Sequence, residues 1–216
     1  MNINQVRAVI SGGASGLGLA TAARLVAGGG RVALLDVQDE AGRKAASALG
    51  AAASYRHCDV TSESDVDAAV RESAERMGGL NVAVSCAGVA TPGKLLGKDG
   101  VLPAAAFQRV ININVLGTFL IDRAAAAIMQ SNEPDADGER GLLIHTASVA
   151  AFEGQIGQVA YATSKAAVAG MVLPLARELA RFGIRVVGIA PGIFQTPMMA
   201  GLPQEAQDSL GRQVPF

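Results

Sequence analysis

Tyr161 and Lys165 stand four residues apart in Tyr161-Ala162-Thr163-Ser164-Lys165, at the start of a segment with helical period. At that spacing a phenol and an ammonium share one helix face. A free tyrosine titrates at about 10 and is a poor base at neutral pH, but a neighbouring positive charge favours its phenolate. The pair is therefore expected to give or take a proton at a substrate oxygen. Thirteen residues upstream, Ser148 closes the strand-like run His145-Thr146-Ala147-Ser148. A loop of that length can bring its hydroxyl back beside the tyrosine, to hold the same oxygen. Taken alone, Tyr-x-x-x-Lys also describes an amphipathic helix with a surface lysine, so its meaning depends on the motifs around it.

The first of these is Ser11-Gly12-Gly13-Ala14-Ser15-Gly16-Leu17-Gly18, between a strand-like run and a helical segment. Without a Cβ in the way, backbone N–H groups and the positive end of a helix can approach a pyrophosphate. An isolated glycine cluster is equally a flexible turn. Here the second strand-like run ends in Leu34-Leu35-Asp36, placing a carboxylate 18 residues after Gly18, where a ribose hydroxyl is commonly bound. Asp36 would repel a 2′-phosphate, and no Arg or Lys stands at positions 13, 14, 37 or 38 to offset it, so NAD is the expected cofactor. The competing role for Asp36 is to cap the following helix. Gly28 to Gly30 read as a helix C-cap.

Elements that could position these groups alternate regularly. Strands are expected at Val6–Ile10, Arg31–Leu35, Ser54–His57, Asn81–Ser85, Leu142–Thr146 and Arg185–Ile189. Helices are expected at Gly16–Ala27, Asp39–Leu49, Glu63–Met77, Ala104–Gln130 and Val159–Phe182. Such βα alternation predicts an α/β fold, a Rossmann-type doubly wound parallel sheet flanked by helices, in one domain spanning residues 1–216. Ser131 to Arg140 reads as a surface loop, and Thr91 to Ala104, longer than an ordinary βα loop, is expected to border the site.

Composition narrows the partners. With 18 basic and 19 acidic residues scattered along 216 positions, the chain has neither a basic stripe for nucleic acid nor a polybasic patch for a membrane. A small-molecule substrate is the expected partner. Two cysteines, Cys58 and Cys86, form no disulfide framework or metal-ligand spacing, which fits a reducing compartment. The N-terminal MNINQVRAVI carries no charged leader, apolar span or cleavage site, so a soluble, cytoplasmic protein is expected. Cys86 is expected to be a small buried residue, and His57 and His145 to be strand positions without nucleophile or metal partners.

Taken together, the glycine turn, Asp36, Cys86-Ala87-Gly88, Asn114-Val115-Leu116-Gly117, Ser148, Tyr161, Lys165 and Pro191-Gly192 resemble, in order and spacing, the classical short-chain dehydrogenases/reductases. The resemblance runs essentially end to end. It implies that Tyr161 is the general acid/base, that Lys165 lowers its pKa and holds the nicotinamide ribose, and that Ser148 polarises the substrate oxygen. Asn114 would complete a tetrad by retaining a water that links the lysine to solvent; a buried helix asparagine bonded to backbone is compatible with that. NAD would be held by Gly12, Ser15, Gly16, Leu17, Gly18, Asp36, Asp59, Val60, Cys86, Ala87, Gly88, Tyr161, Lys165, Pro191, Gly192, Phe194 and Thr196. Metal ligands are not implied.

The stretch from Ser148 to Met199 resembles more closely the 3-hydroxyacyl-CoA dehydrogenase type 2 branch. That implies NAD-linked interconversion of a 3-hydroxyacyl-CoA and a 3-ketoacyl-CoA, or of other secondary alcohols and ketones. Phe194, Thr196, Met198, Met199 and Leu202 would line an acyl pocket or simply pack, and Gln155 would help orient substrate. Two other readings stay open: an NADPH-dependent 3-oxoacyl thioester reductase, against which Asp36 counts, and a catalytically silent NAD-binding scaffold. Two departures from the family pattern stand out. Ser85 replaces an asparagine whose amide braces the sheet, and the chain ends at Phe216, before the expected last helix and strand. A C-terminal truncation relative to the family is expected, exposing one sheet edge; the full-length form would be a homotetramer.

Overall fold

The computed structural model describes residues 1–98, 100–201 and 204–212. Its main sheet contains β1 (Arg7–Ser11), β2 (Arg31–Asp36), β3 (Ala53–His57), β4 (Val82–Ser85), β7 (Gly141–Thr146) and β8 (Ile184–Ile189), with β5 (Leu96–Gly97) and β6 (Gly100–Val101) forming a separate small hairpin. The six strands run parallel in the order β3-β2-β1-β4-β7-β8. Strand order therefore reverses between β1 and β4, and the crevice at their carboxyl ends is the place where such sheets bind ligands.

Alternation along the strands divides the core in two. Val9, Ala33, Leu35, Ala83, Leu143, Ile184 and Val186 face one layer, which also includes buried residues of α3 (Glu63–Met77) and α5 (Gly117–Met129). Leu175, Ala176 and Leu179 of α6 (Val159–Leu179) pack against that layer. Ala8, Ile10, Val32, Leu34, Val82 and Val84 face the other, beneath α1 (Gly16–Ala27) and α2 (Asp39–Leu49). Residues on both faces of the strands are apolar because both faces are covered. On the second face of β8, Val187 and Ile189 remain exposed.

The first three helices have the expected bounds, and every expected strand is present with its ends moved by at most one residue. The long helix expected over 104–130 is divided. It runs as α4 (Ala104–Ile111), a π-helical turn at Asn112–Leu116, and α5. A π turn takes an extra residue and so redirects the side chains within it; such turns collect at functional sites. The second long helix ends in a 3₁₀ turn at Ala180–Phe182. Segments 104–129 and 159–182 are long and apolar enough to cross a membrane, but here α5 and α6 lie against β4, β7 and β8. Beyond β8 are two helices not anticipated from the sequence, α7 (Pro197–Ala200) and α8 (Gln204–Gly211).

Candidate active site

A cavity of about 500 Å³ opens at the carboxyl ends of the strands, over the point of reversal. One end is walled by the glycine turn. Gly12 has a positive φ of 65°, and a Cβ there would come within 2.7 Å of the Ala87 backbone nitrogen, so only glycine lets the turn close on the segment after β4. Ser15 caps α1 without a side-chain bond to the helix, which leaves the first-turn N–H groups of Gly16, Leu17 and Gly18 facing the cavity. That is a cradle for a pyrophosphate at a helix N-terminus. Pro191, Gly192, Phe194 and Thr196 line the opposite wall. A Cβ on Gly16 would lie 3.7 Å from Thr196, so this segment packs onto the glycine turn.

Asp36 ends β2 at the cavity wall, nearly buried at 8% exposure. Its Oδ2 accepts from the Ala14 N–H at 3.1 Å and its Oδ1 from the Gln38 N–H at 3.1 Å. Thus it ties the glycine turn to Gln38, the residue that precedes α2. Asp59, Val60, Cys86, Ala87 and Gly88 line the same end of the cavity. Asp59 is fixed by its own turn, its Oδ1 accepting from Thr61 N–H and its N–H donating to Asp65. Cys86 is half-buried rather than buried, with its Sγ 3.4 Å from Thr146 Oγ1. Burial raises its thiol pKa, and that of the fully buried Cys58 is pushed up to about 12, so neither is a ready thiolate.

At the other end of the cavity lie Ser148, Tyr161 and Lys165. Ser148 stands two residues past the end of β7, accepts from the Ala150 N–H at 3.1 Å, and hydrogen-bonds the Tyr161 hydroxyl. Lys165 donates to the Thr146 carbonyl at 2.7 Å, and its Nζ is 5.7 Å from the centre of the Tyr161 ring. The expected lowering of the tyrosine by the lysine is not what this geometry produces. Burial dominates and raises the Tyr161 phenol above its ordinary value, with the Ser148 hydrogen bond pulling it back; burial also brings Lys165 down to about 8.

Asn114, in the π turn, is almost fully buried. Its amide donates to the Val89 carbonyl at 3.0 Å and to Ser164 Oγ at 2.9 Å, while its Oδ1 accepts from the Val89 N–H at 2.9 Å. Ser164 in turn donates to the Tyr161 carbonyl at 2.7 Å. The side chain of Asn114 therefore clamps the segment after β4 to the helix carrying Tyr161. Its partners, Ser164 and Val89, were not among the expected residues; the one signal for Ser164 is a small polar residue beside Lys165 in a largely apolar helix.

Gln155 lines the cavity with Arg109, Glu153 and Gln158, none of which was expected, and so does Leu210 of α8. Met199 also contributes. Leu202 and the side chain of Met198 lie outside the described residues. Among its described residues, the long loop after Thr91 supplies none of the cavity's lining; its Gly93 N–H donates to the Gly157 carbonyl, bracing the segment that carries Gln155.

Two further expectations resolve at the sheet. The hydroxyl of Ser85 is buried without a hydrogen-bond partner, so it does not replace the bracing amide; Ser11 Oγ, accepting from Ala87 N–H at 3.3 Å, bridges the two loops instead. His145 is fully buried with its Nε2 2.7 Å from Asp122 Oδ2, a close contact that lacks the alignment of a good hydrogen bond, while His57 bonds Asp39. No group of three potential metal ligands occurs among the described residues.

The profile of the short chain dehydrogenase family matches residues 6–207. This chain belongs to that family. It is 51% identical over 211 residues to the 3-hydroxyacyl-CoA dehydrogenase type-2 of Bos taurus, covering 97% of this chain and 81% of that one. Identity to the protein of the same name in Drosophila melanogaster is 48% over 216 residues, 99% of this chain and 85% of the relative. Among solved structures, the 3-hydroxyacyl-CoA dehydrogenase type-2 from Mycobacterium avium superposes with a TM-score of 0.90 at 40% identity, covering 98% of this chain and 82% of that one. The 3-ketoacyl-(acyl-carrier-protein) reductase from Brucella melitensis, solved with NADH, gives 0.86 at 28% identity, covering 96% and 84%. The chain is thus a short-chain dehydrogenase-type oxidoreductase that takes a nicotinamide cofactor, with its glycine turn, Asp36 and serine–tyrosine–lysine group around one cavity.

Proposed function

We propose that this protein interconverts a 3-hydroxyacyl-CoA and a 3-ketoacyl-CoA with NAD as cofactor, in the cytoplasm and as a homotetramer. The observation that carries the reading is that one cavity is lined by the glycine turn, by the Asp36 carboxylate and by Ser148, Tyr161 and Lys165. A bound nicotinamide supplies the hydride acceptor for the alcohol, or the donor for the ketone. Ser148 holds the substrate oxygen, and Tyr161 takes the hydroxyl proton during oxidation or returns it during reduction. The raised phenol pKa suits the proton donor, since a phenol that keeps its proton at neutral pH is ready to give it to a developing alkoxide. Lys165, anchored on Thr146, is placed to hold the nicotinamide ribose.

Asp36 supports NAD over NADP, because its carboxylate would face a 2′-phosphate with like charge. The relatives' substrates support the acyl-CoA assignment, and Ile193, Phe194 and Met199 give one side of the cavity an apolar lining suited to a hydrocarbon chain. The test is turnover of acetoacetyl-CoA with NADH and with NADPH. Faster turnover with NADH is expected; a strong NADPH preference would sink the cofactor assignment, and no turnover with either would sink the substrate.

A further inference from the structure

Arg109 is a charge at the active site with no part in proton or hydride transfer. It stands in the last turn of α4 and lines the cavity together with Ile113, one helical turn further along. From Arg109 to Asn114 the helix passes from exposed, through half-buried at Ile113, to buried. At 1.5 Å per residue, Arg109 is roughly 7 Å along the helix axis from Asn114, on the solvent side of the catalytic group.

A cation in a last helical turn commonly offsets the carbonyls left open at a C-terminus. Here the π turn at Asn112–Leu116 and then α5 continue the helix, so α4 has no open C-terminus to offset. Nor is Arg109 held by a surface acid in the way that Arg43, Arg56, Arg123 and Arg185 are; among the described residues no acid pairs with it. The described charged residues lining the cavity are Asp36, Asp59 and Glu153 against Arg109 and Lys165. Lys165 is buried and donates to the Thr146 carbonyl beside Tyr161. The cofactor's pyrophosphate has the glycine turn. For negative charge on the second ligand, the favourable place in this cavity is the guanidinium of Arg109.

We propose that Arg109 is a specificity-determining residue that binds a phosphate of the coenzyme A half of the substrate while the acyl half lies at Ser148 and Tyr161. The proposal rests on the acyl-CoA reading and names the group that recognises the CoA. In such a thioester a flexible pantetheine arm joins the acyl group to a 3′-phosphorylated adenosine diphosphate, so the negative charge lies at the end remote from the reacting carbon. A guanidinium on the outer wall, with planar N–H donors matched to phosphate oxygens, suits that end. Because Arg109 is exposed, solvent and salt screen the contact and its contribution is moderate.

Two substrates that share the reacting group separate this role from others: acetoacetyl-CoA, and the uncharged acetoacetyl thioester of N-acetylcysteamine. Arg109→Gln is expected to raise KM for acetoacetyl-CoA about fivefold with kcat within about twofold, and to shift kcat/KM for the uncharged thioester and the NADH Kd by less than about twofold. Arg109→Lys should recover most of the lost affinity, and KM for acetoacetyl-CoA should rise with added salt more steeply in the parent than in Arg109→Gln. An unchanged KM for acetoacetyl-CoA overturns the proposal, and so does an equal loss on both thioesters, which would mark a structural role. A weakened NADH Kd overturns it as well, by assigning Arg109 to the cofactor. If the parent turns over neither thioester, the acyl-CoA reading itself fails and the proposal falls with it.

Discussion

One burial moves Tyr161 and Lys165 in opposite directions, and each shift has a measurable consequence. Lys165 is brought down to about 8 from its ordinary 10.5, so its charged form is penalised in the cofactor-free fold by on the order of 3 kcal/mol. That penalty is complete below about pH 8, declines as the pH rises, and vanishes above about pH 10.5, because the unfolded lysine then also loses its proton. Lys165→Met removes it, at the cost of about 1 kcal/mol for the hydrogen bond to Thr146. The variant should therefore melt at a higher temperature than the parent at about pH 7, and the gap should close toward about pH 10.5. A gap that does not change with pH would assign the effect to something other than this titration. Tyr161→Phe should retain NADH binding but lower turnover by about 10²- to 10⁴-fold, the range for a lost proton-transfer group; near-parent turnover would remove Tyr161 from the chemistry.

The elements show a second polar feature whose role is structural. His145 of β7 and Asp122 of α5 meet in the core, both nearly without solvent exposure, and burial raises the Asp122 carboxyl pKa. Truncating one partner leaves the other buried without compensation, so Asp122→Ala is expected to cost about 3 kcal/mol, read as a fall in Tm. Asp122→Leu combined with His145→Phe should recover much of it, and a double variant as weak as the single one would contradict the pairing. Neither residue carried a signal for this contact in the sequence, since the two lie 23 positions apart and only packing brings them together. The same holds for Val89 and the Thr146 carbonyl, which act through tertiary hydrogen bonds. By contrast, Gly12, Asp36, Ser148, Tyr161 and Lys165 were legible because their side chains, or the lack of one, carry chemistry at short spacing. Helices α1 to α3 were legible to the residue because their ends coincide with Ser15, Gly28, Gly50, Ser62 and Gly78. The π turn at Asn112–Leu116 was not, because its apolar period is continuous with the helices on either side.

At the scale of the whole molecule, two of the apolar groups exposed among the described residues lie on separate elements. Leu116 and Phe119 stand exposed where the π turn enters α5, and Val187 and Ile189 stand exposed on the face of β8 that no described helix covers. Apolar residues grouped in this way favour association, and a closed homotetramer with two-fold symmetry requires more than one kind of self-complementary interface. The two strips belong to different elements, so each can serve one of those interfaces. If they do, the proposed tetramer should come apart in steps. Phe119→Glu should leave dimers in sedimentation velocity, Val187→Glu should leave the other pair of dimers, and the two together should leave monomers that keep the parent far-UV circular dichroism. A tetramer that survives both changes would show that its contacts lie elsewhere. Direct collapse of either single variant to monomers would show that the two strips serve one interface, not two.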